Sequence, residues 1–290
     1  MTLPPFFFDV STAGVIDLAG RDRESFLQGL CTNDMRDLAG GGALWAAALT
    51  PTGKVRFQFR AAPRGDRIRL LLEPERAAAA GAHFRKYAVF QDVQIEEPAP
   101  PPVRFDFYGA PPSLPDAADC WPSFFEMTAS ALVSPEEASA LGERLREAGG
   151  ERIAESDREA RRIEAGRPRD GVDVDETRTP DEAGLGRAVS ATKGCYVGQE
   201  VVARMRTYGR LPRRLVGFAF SDGPAPPAGS RLVAPGGTPR DAGIVTSAAV
   251  SPRRGTIALG YAARDVPDGA SLELAGDPAR QARVFPAGGA

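Results

Sequence analysis

Hydrophobic positions in the first hundred residues form short runs that predict strands and helices in turn. The segments PFFFDVS, GVIDLAG, DRIRLLLE and AVFQDVQIEE have strand character, and ALWAAALT with GKVRFQFRA forms a hairpin pattern around the turn PTG. Two stretches have helical spacing instead: residues 21–35, with Phe26, Leu27 and Leu30 on one side, and residues 75–87. This order indicates an α+β fold with antiparallel hairpins rather than a regular βαβ series.

The middle of the chain repeats this pattern after a proline-rich break, PAPPPV, which we interpret as a linker. FDFYG and SFFEM are short strand candidates. The helix in VSPEEASALGERLREAGG has Ser134 as its N-cap and Glu137 as the partner in a capping box. The next helix, in SDREARRIEAGRP, has the same pattern, with Ser156 as N-cap and Glu159 three residues later. The two similar halves raise an internal duplication as a hypothesis.

Beyond residue 210 the pattern changes to short strands separated by glycine- and proline-containing turns. The strands are predicted in RRLVGFAF, GSRLVAP, DAGIVTSAAVS, TIALGYAA and ASLELA. A small barrel or sandwich is the expected closure of such an all-β segment. The chain therefore divides into α+β regions at 1–100 and 101–210 and a β-barrel domain at 211–290.

Composition narrows the classes of function. The 290 residues include 36 basic and 38 acidic side chains, so global charge gives no argument for nucleic acid or a membrane as partner. Three cysteines without a C-x-x-C spacing argue against a disulfide framework and a closed zinc site, and favour a reduced, cytoplasmic setting. The single histidine, His83, is expected on a helix surface. We expect no signal peptide and no membrane span.

The segment KGCYVGQEVVARMR is the first candidate for chemistry. It predicts a loop leading into a helix that begins near Gly198. The helix start and the cation of Lys193 would both lower the pKa of a Cys195 thiol, and Gly194 and Gly198 would let a ligand approach the backbone. Three interpretations stay open: a nucleophile, one ligand of a shared metal cluster, or a small buried cysteine in a glycine turn.

Two further segments of the sequence are rich in charged residues. RIEAGRPRDGVDVDE ends a helix at Glu164 and continues into an acidic loop, which could be a calcium site or a solvated loop. The second segment, RMRTYGRLPRRL, could bind anionic ligands or form an exposed basic patch. Its arginines are Arg204, Arg206, Arg210, Arg213 and Arg214.

Together, FLQGLCTND, LTPTGKV, the RIEAG block with its DVDE and EAGL continuations, and above all KGCYVGQEVVAR resemble the YgfZ family of folate-binding proteins. That family is related to the T-protein, the aminomethyltransferase of the glycine cleavage system. The resemblance implies two ferredoxin-like α+β subdomains and a C-terminal β-barrel, arranged as a ring around a central folate channel. It also implies tetrahydrofolate-linked assembly or repair of iron–sulfur clusters in client enzymes, such as those that thiolate tRNA.

The resemblance also implies roles for individual residues. In the superfamily, the glutamate of the RxEAG block binds the pterin, which maps onto Glu164; a carboxylate can accept two parallel N–H bonds from the aminopyrimidine edge. The other expected cofactor-binding residues are Gln58, Tyr196, Arg206, Arg210 and Arg213. Cys195 would be the functional thiol and Lys193 its activator, within the signature of Lys193, Gly194, Cys195, Tyr196, Gly198, Gln199 and Glu200.

One departure from the T-protein pattern bears on activity. T-proteins carry an acidic pair in the strand after the glycine equivalent to Gly53, where this chain has Phe57 and Gln58. A neutral amide cannot replace a carboxylate as base or in stabilising a cationic iminium. We therefore predict a folate-binding accessory protein without glycine-cleavage activity, not a conventional enzyme.

The predicted cofactor is tetrahydrofolate or a one-carbon derivative, with no tightly held metal. The predicted partners are iron–sulfur clients or assembly proteins, without direct nucleic-acid or membrane contact, and the expected state is a monomer. The alternatives are a folate-dependent one-carbon or aminomethyl transferase acting on another substrate, and a binding module whose arginines meet RNA or an acidic protein.

Overall fold

A computed structural model describes residues 6–109, 114, 119–122, 128–209, 211–235 and 241–287. The chain forms two compact units. The first comprises the described parts of Met1–Thr52, Arg56–Ala154 and Arg187–Gln199. The second comprises those of Gly53–Val55, Glu155–Gly186 and Glu200–Ala290.

Five α-helices and sixteen strands are formed by the described residues. The helices are α1 (Arg23–Leu30), α2 (Pro74–Arg85), α3 (Pro135–Glu147), α4 (Glu155–Glu164) and α5 (Gln199–Tyr208). The first ten strands are β1 (Phe6–Thr12), β2 (Gly14–Ala19), β3 (Leu44–Leu49), β4 (Val55–Arg64), β5 (Arg67–Leu72), β6 (Gln94–Glu96), β7 (Val103–Gly109), β8 (Asp119–Trp121), β9 (Thr128–Val133) and β10 (Glu151–Arg152). The remaining strands are β11 (Arg213–Phe220), β12 (Arg231–Val233), β13 (Asp241–Ser251), β14 (Gly255–Ala263), β15 (Ser271–Leu274) and β16 (Asp277–Pro286).

The first unit contains two five-stranded sheets. One has the order β3-β4-β5-β2-β6 and packs against α1 and α2 through Ile16, Leu18, Phe26, Leu27 and Phe84. These residues are almost completely buried, so the two helical patterns read from the sequence face the core as expected.

The other sheet has the order β10-β1-β7-β9-β8 and packs against α3 through Leu141 and Leu145. Its first strand in the chain is β1, which pairs antiparallel with β7 so that Phe8 lies opposite Phe107. The N-terminal strand thus belongs to a sheet formed mostly by residues 103–152, whereas the predicted boundary at residue 100 groups it with the other sheet.

The second unit contains a closed barrel with the strand order β11-β14-β13-β12-β15-β16, which confirms the predicted C-terminal barrel. Its interior is filled by apolar side chains that include Val216, Phe218 and Val284. Helix α4 packs on the outside, where Ile163 joins a buried cluster with Tyr261. The mixed α+β fold with its C-terminal barrel is therefore as predicted.

The sequence signals for the ends of helices and strands were correct at some positions and wrong at others. The capping box of Ser134 and Glu137 is present at α3. Helix α4, however, already includes Glu155, so Ser156 is not its N-cap; the Glu159 carboxylate pairs with Arg162 one turn later. The strand predicted in AVFQDVQIEE is reduced to β6. SFFEM lies outside the described residues, in which no helix is long and apolar enough to span a membrane.

Candidate functional site

The KGCYVGQE segment lies against the C-terminal end of α1. The Lys193 ammonium donates hydrogen bonds to the carbonyl oxygens of Gln28 at 2.7 Å, Cys31 at 2.5 Å and Asn33 at 2.8 Å. The backbone N–H of Val197 donates to the carbonyl of Gly29 at 3.3 Å. The structure therefore joins two motifs that the sequence presented separately, FLQGLCTND and KGCYVGQE.

The contacts with Gln28 and with the C-cap residue Cys31 satisfy a specific need of α1. The last carbonyls of a helix have no partners within the helix and carry its negative dipole end. Helix α1 has no basic residue in its last turn and ends at Cys31 in extended backbone. Lys193 supplies the missing cation from a distant part of the chain, and its ammonium also lies 5.1 Å from the ring centroid of Tyr196. Partial burial lowers the pKa of Lys193.

Cys31 is fully buried in this arrangement. Its Sγ lies 4.0 Å from the Lys193 amine and 3.6 Å from the carbonyl oxygen of Asn33. Burial raises the pKa of the Cys31 thiol to about 11, although the nearby Lys193 charge acts in the opposite direction. Cys31 is consequently a protonated, inaccessible thiol at neutral pH, which fits a structural role.

Cys195 has the opposite environment, because it is exposed on the loop before α5. The interpretation of Cys195 as a small buried residue in a glycine turn is therefore wrong. The Lys193 ammonium contacts the Gln28–Asn33 segment and Tyr196, and its action on the Cys195 thiol stays a prediction.

The rest of the signature forms the entry to α5. Gly198 has φ +82°, a conformation that L side chains rarely adopt, and Gln199 is the first helical residue. The Gln199 side-chain oxygen accepts the backbone N–H of Tyr196 at 3.2 Å, and Glu200 lies in the first helical turn, where a negative charge is favoured. The predicted start of this helix near Gly198 is confirmed.

Strand β4 carries Phe57 and Gln58, the two residues expected at the positions of the T-protein acidic pair. Phe57 and Gln58 are both buried, with 5% and 8% of their surfaces exposed. The Arg76 guanidinium lies over the Phe57 ring, 4.8 Å from its centroid. An aromatic ring and a neutral amide thus occupy this part of the strand.

Glu164 ends helix α4 in the second unit. Its two carboxylate oxygens accept hydrogen bonds from the Ser251 hydroxyl and from the Arg253 guanidinium. The Glu164 side chain is only 7% exposed, whereas that of Arg253 is 64% exposed. The carboxylate is therefore held in a fixed orientation by groups of the β13–β14 turn, with acceptor lone pairs remaining on both oxygens.

The acidic loop after Glu164 is partly a buried network. Asp173 is almost completely buried and accepts hydrogen bonds from Arg162 at 2.6 Å and from Ser247 at 2.8 Å. The Tyr261 hydroxyl donates to the Asp173 carbonyl at 2.8 Å. A solvated loop is thus the wrong interpretation for Asp173, and the described residues contain no group of three or more His, Cys, Asp or Glu side chains that could hold a metal ion.

Comparisons with known proteins give this geometry a context. No family model matches the chain. It is 30% identical to an aminomethyltransferase of Rubrobacter xylanophilus, across 96% of this chain and 81% of that protein. It is 29% identical to the tRNA-modifying protein YgfZ of Yersinia pestis, across 79% of this chain and 76% of that protein. The chain belongs to the YgfZ and aminomethyltransferase (GcvT) family.

The fold of a solved relative agrees. The aminomethyltransferase T of Bartonella henselae superimposes with a TM-score of 0.83 across 97% of this chain and 85% of that protein, at 19% identity. This likeness concerns the GcvT-like fold.

The arginines after the family signature have separate environments. Arg206 pairs with Asp181 at 2.6 Å, and Arg214 pairs with Asp268 at 2.6 Å. Arg213 lines a pocket on the barrel, and Arg210 lies outside the described residues. Their predicted contacts with folate stay predictions.

Sequence reasoning missed the network around Asp173 and the role of Ser251 and Arg253. The sequence signal for the Asp173 network was Arg162 in the RIEAG block, because a buried carboxylate needs a cation close by. Ser251 ends the long strand β13 and Arg253 lies in the turn after it, and nothing in their local pattern indicates that they approach Glu164.

Proposed function

We propose that this protein binds tetrahydrofolate or a one-carbon derivative and serves as an accessory factor in the assembly or repair of iron–sulfur clusters in client proteins. Clients that modify tRNA are part of this proposal, as is a cytoplasmic setting. The observation that carries it is the signature segment: Lys193 anchors the loop on α1, while Cys195 remains exposed. A thiol on an anchored loop is available to a cluster, a sulfur species or a partner protein.

Cys195 would act on a cluster held elsewhere. Iron–sulfur clusters normally take four cysteine ligands, and this chain has three cysteines, one of them buried. A single exposed thiolate can contribute one ligand during transfer. It can also accept the outer sulfur of a partner's cysteine persulfide, whose own cysteine then leaves as a thiolate. Both roles require a thiolate that a partner protein can reach, not one enclosed in a closed metal site.

The carboxylate of Glu164 supports folate binding. Its orientation by Ser251 and Arg253 leaves lone pairs that can accept N–H groups from a pterin ring. Gln58, Tyr196 and Arg206 are proposed as further folate contacts, whereas Arg213 lines a separate pocket on the barrel. Arg206 would have to share its guanidinium with Asp181.

A folate-dependent one-carbon transferase is the second candidate, favoured by the similarity to aminomethyltransferases. Against it, Phe57 and Gln58 place no carboxylate in the part of β4 where T-proteins carry their acidic pair. Incubation with methylene-tetrahydrofolate and a panel of amines distinguishes the two candidates. Turnover of any amine supports the transferase, and its absence across the panel supports the accessory role.

Calorimetric titration with tetrahydrofolate tests the folate part of the proposal. We expect saturable binding by the wild type and at least roughly tenfold weaker binding by Glu164→Ala, equivalent to about 1.4 kcal/mol. Glu143→Ala, on an exposed position of α3, is the matched control and should bind like the wild type. Absence of binding to the wild type, or equal affinity of Glu164→Ala, would refute this part.

Complementation of a strain that lacks its own YgfZ tests the thiol part. We expect Cys195→Ser to lose activity of a cluster-dependent enzyme, while Cys120→Ser, at the other exposed cysteine, retains it. Full rescue by Cys195→Ser would exclude the thiol mechanism even if folate binding holds.

A further inference from the structure

The barrel of the second unit has a pocket rich in guanidinium groups near the starts of β11, β12 and β13. Its volume is about 170 Å³. The lining residues are Arg178, Arg213, Arg231, Asp241, Gly243 and Ile244. Three guanidinium groups facing one small pocket create a positive potential that needs an explanation beyond packing.

One of the three positive charges is compensated within the pocket. Arg231 donates two hydrogen bonds to Asp241, with 2.6 Å between its Nε and the Asp241 Oδ1. This bidentate pair fixes the plane of the Arg231 guanidinium. With three arginines and one aspartate, the lining side chains retain two net positive charges.

Arg178 is held in place by an aromatic platform. Its guanidinium carbon lies 3.9 Å from the ring centroid of Tyr261. Tyr261 is fully buried, and its hydroxyl donates to the carbonyl of Asp173 at 2.8 Å, so the platform itself is fixed. A guanidinium stacked in this way still has the N–H groups on its edge to offer to an acceptor.

Arg213 provides an unused donor. Its Nη1 atom is buried and has no hydrogen-bond partner among the described residues. A buried donor without an acceptor is unfavourable, and an anionic oxygen in the pocket would form a charge-assisted hydrogen bond with it.

We infer that this pocket binds a small oxyanion, the phosphate or carboxylate group of a small-molecule ligand. The pocket is separate from Glu164. Strand β13 runs from Asp241 at the pocket to Ser251, which binds Glu164, and ten residues of strand extend roughly 30 Å. The inference therefore goes beyond the proposed function and does not depend on it.

Titration calorimetry with inorganic phosphate and with glutarate, in chloride buffers of constant ionic strength, tests the pocket. We expect saturable binding of at least one anion by the wild type and at least roughly tenfold weaker binding by Arg213→Gln. Arg214→Gln is the matched control, because Arg214 is the next residue of β11 but pairs with Asp268 outside the pocket. The preferred anion identifies whether the natural ligand carries phosphate or carboxylate.

Two further variants make the result unambiguous. Arg178→Gln should weaken the binding of the same anion. This variant replaces Arg213→Gln in the test if Arg213→Gln does not fold. Glu164→Ala should leave phosphate and glutarate affinity unchanged, which separates this pocket from the proposed folate site. Failure of the wild type to bind either anion, or equal affinities of the pocket variants and Arg214→Gln, would overturn the inference.

Discussion

Replacement of Lys193 by methionine is expected to destabilise the first unit rather than act on Cys195 alone. Methionine keeps most of the length of the side chain but provides no donor. The carbonyl oxygens of Gln28, Cys31 and Asn33 then lose a shared cationic partner. Two family motifs far apart in sequence would lose the contact that joins them.

The magnitude follows from the three hydrogen bonds. A hydrogen bond to a charged group contributes about 1.5–3 kcal/mol, but the three share one ammonium and are not additive. Lys193 is only half-buried, so water can replace part of what is lost. We therefore expect a loss of roughly 2–4 kcal/mol, which lowers the Tm by roughly 4–16 °C for a domain of this size.

Thermal unfolding monitored by circular dichroism and calorimetry measures this loss. Lys86→Met is the matched control, because Lys86 is exposed at the end of α2 and its replacement should change Tm very little. Cys195→Ser should also melt like the wild type, since its side chain is exposed. A Lys193→Met protein that melts within about 1 °C of the wild type would refute the structural role assigned to this lysine.

Three further predictions concern thiols, pH and the Glu164 carboxylate. A thiol reagent should modify Cys120 and Cys195 rapidly in the native protein and Cys31 only after unfolding; rapid modification of all three would contradict the burial of Cys31. Because the folded-state pKa of Cys31 is raised to about 11, its contribution to stability is complete below about pH 9 and is lost as pH rises toward 11. The unfolding free energy of the wild type should thus fall by roughly 2–3 kcal/mol more than that of Cys31→Ala over this interval in denaturant titrations, and parallel pH profiles would exclude this. Arg253→Ala should weaken folate binding by up to about fivefold in calorimetry, because it removes one of the two groups that orient the Glu164 carboxylate, and an exposed ion pair contributes only about 0–1 kcal/mol; equal or tighter binding would contradict this orienting role.

Much of the fold could be predicted because its signals are local. The α3 capping box, the glycine before α5 and the alternating strands of the barrel each depend on a few consecutive residues. The partners of these elements could not be predicted in the same way. The pattern of PFFFDVS predicts a strand, but its pairing with β7 depends on residues about a hundred positions later.

Charged residues show the same limit at the candidate site. Lys193 and Cys31 are 162 positions apart, and the sequence offered only the neighbouring Cys195 as a partner for the lysine. Asp173 stands in an acidic stretch typical of a solvated loop, yet it is buried by Arg162 and barrel residues. Local composition therefore singled out the right charged residues but predicted the wrong partners and burial for them. Tertiary contacts decide whether a charge is buried.

The fold accounts for some residues of KGCYVGQE and leaves others without a structural reason. Lys193 and Val197 bind the end of α1, and Gly198 adopts a left-handed conformation before α5. In contrast, a Cβ added at Gly194 would meet no atom of the described residues within 4 Å, and Cys195 is exposed. Neither packing nor backbone geometry requires a glycine and a cysteine at these two positions. Open space next to an accessible thiol is what a bound cluster, sulfur species or partner would need, so the two positions that the fold does not explain are those where chemistry is best sought.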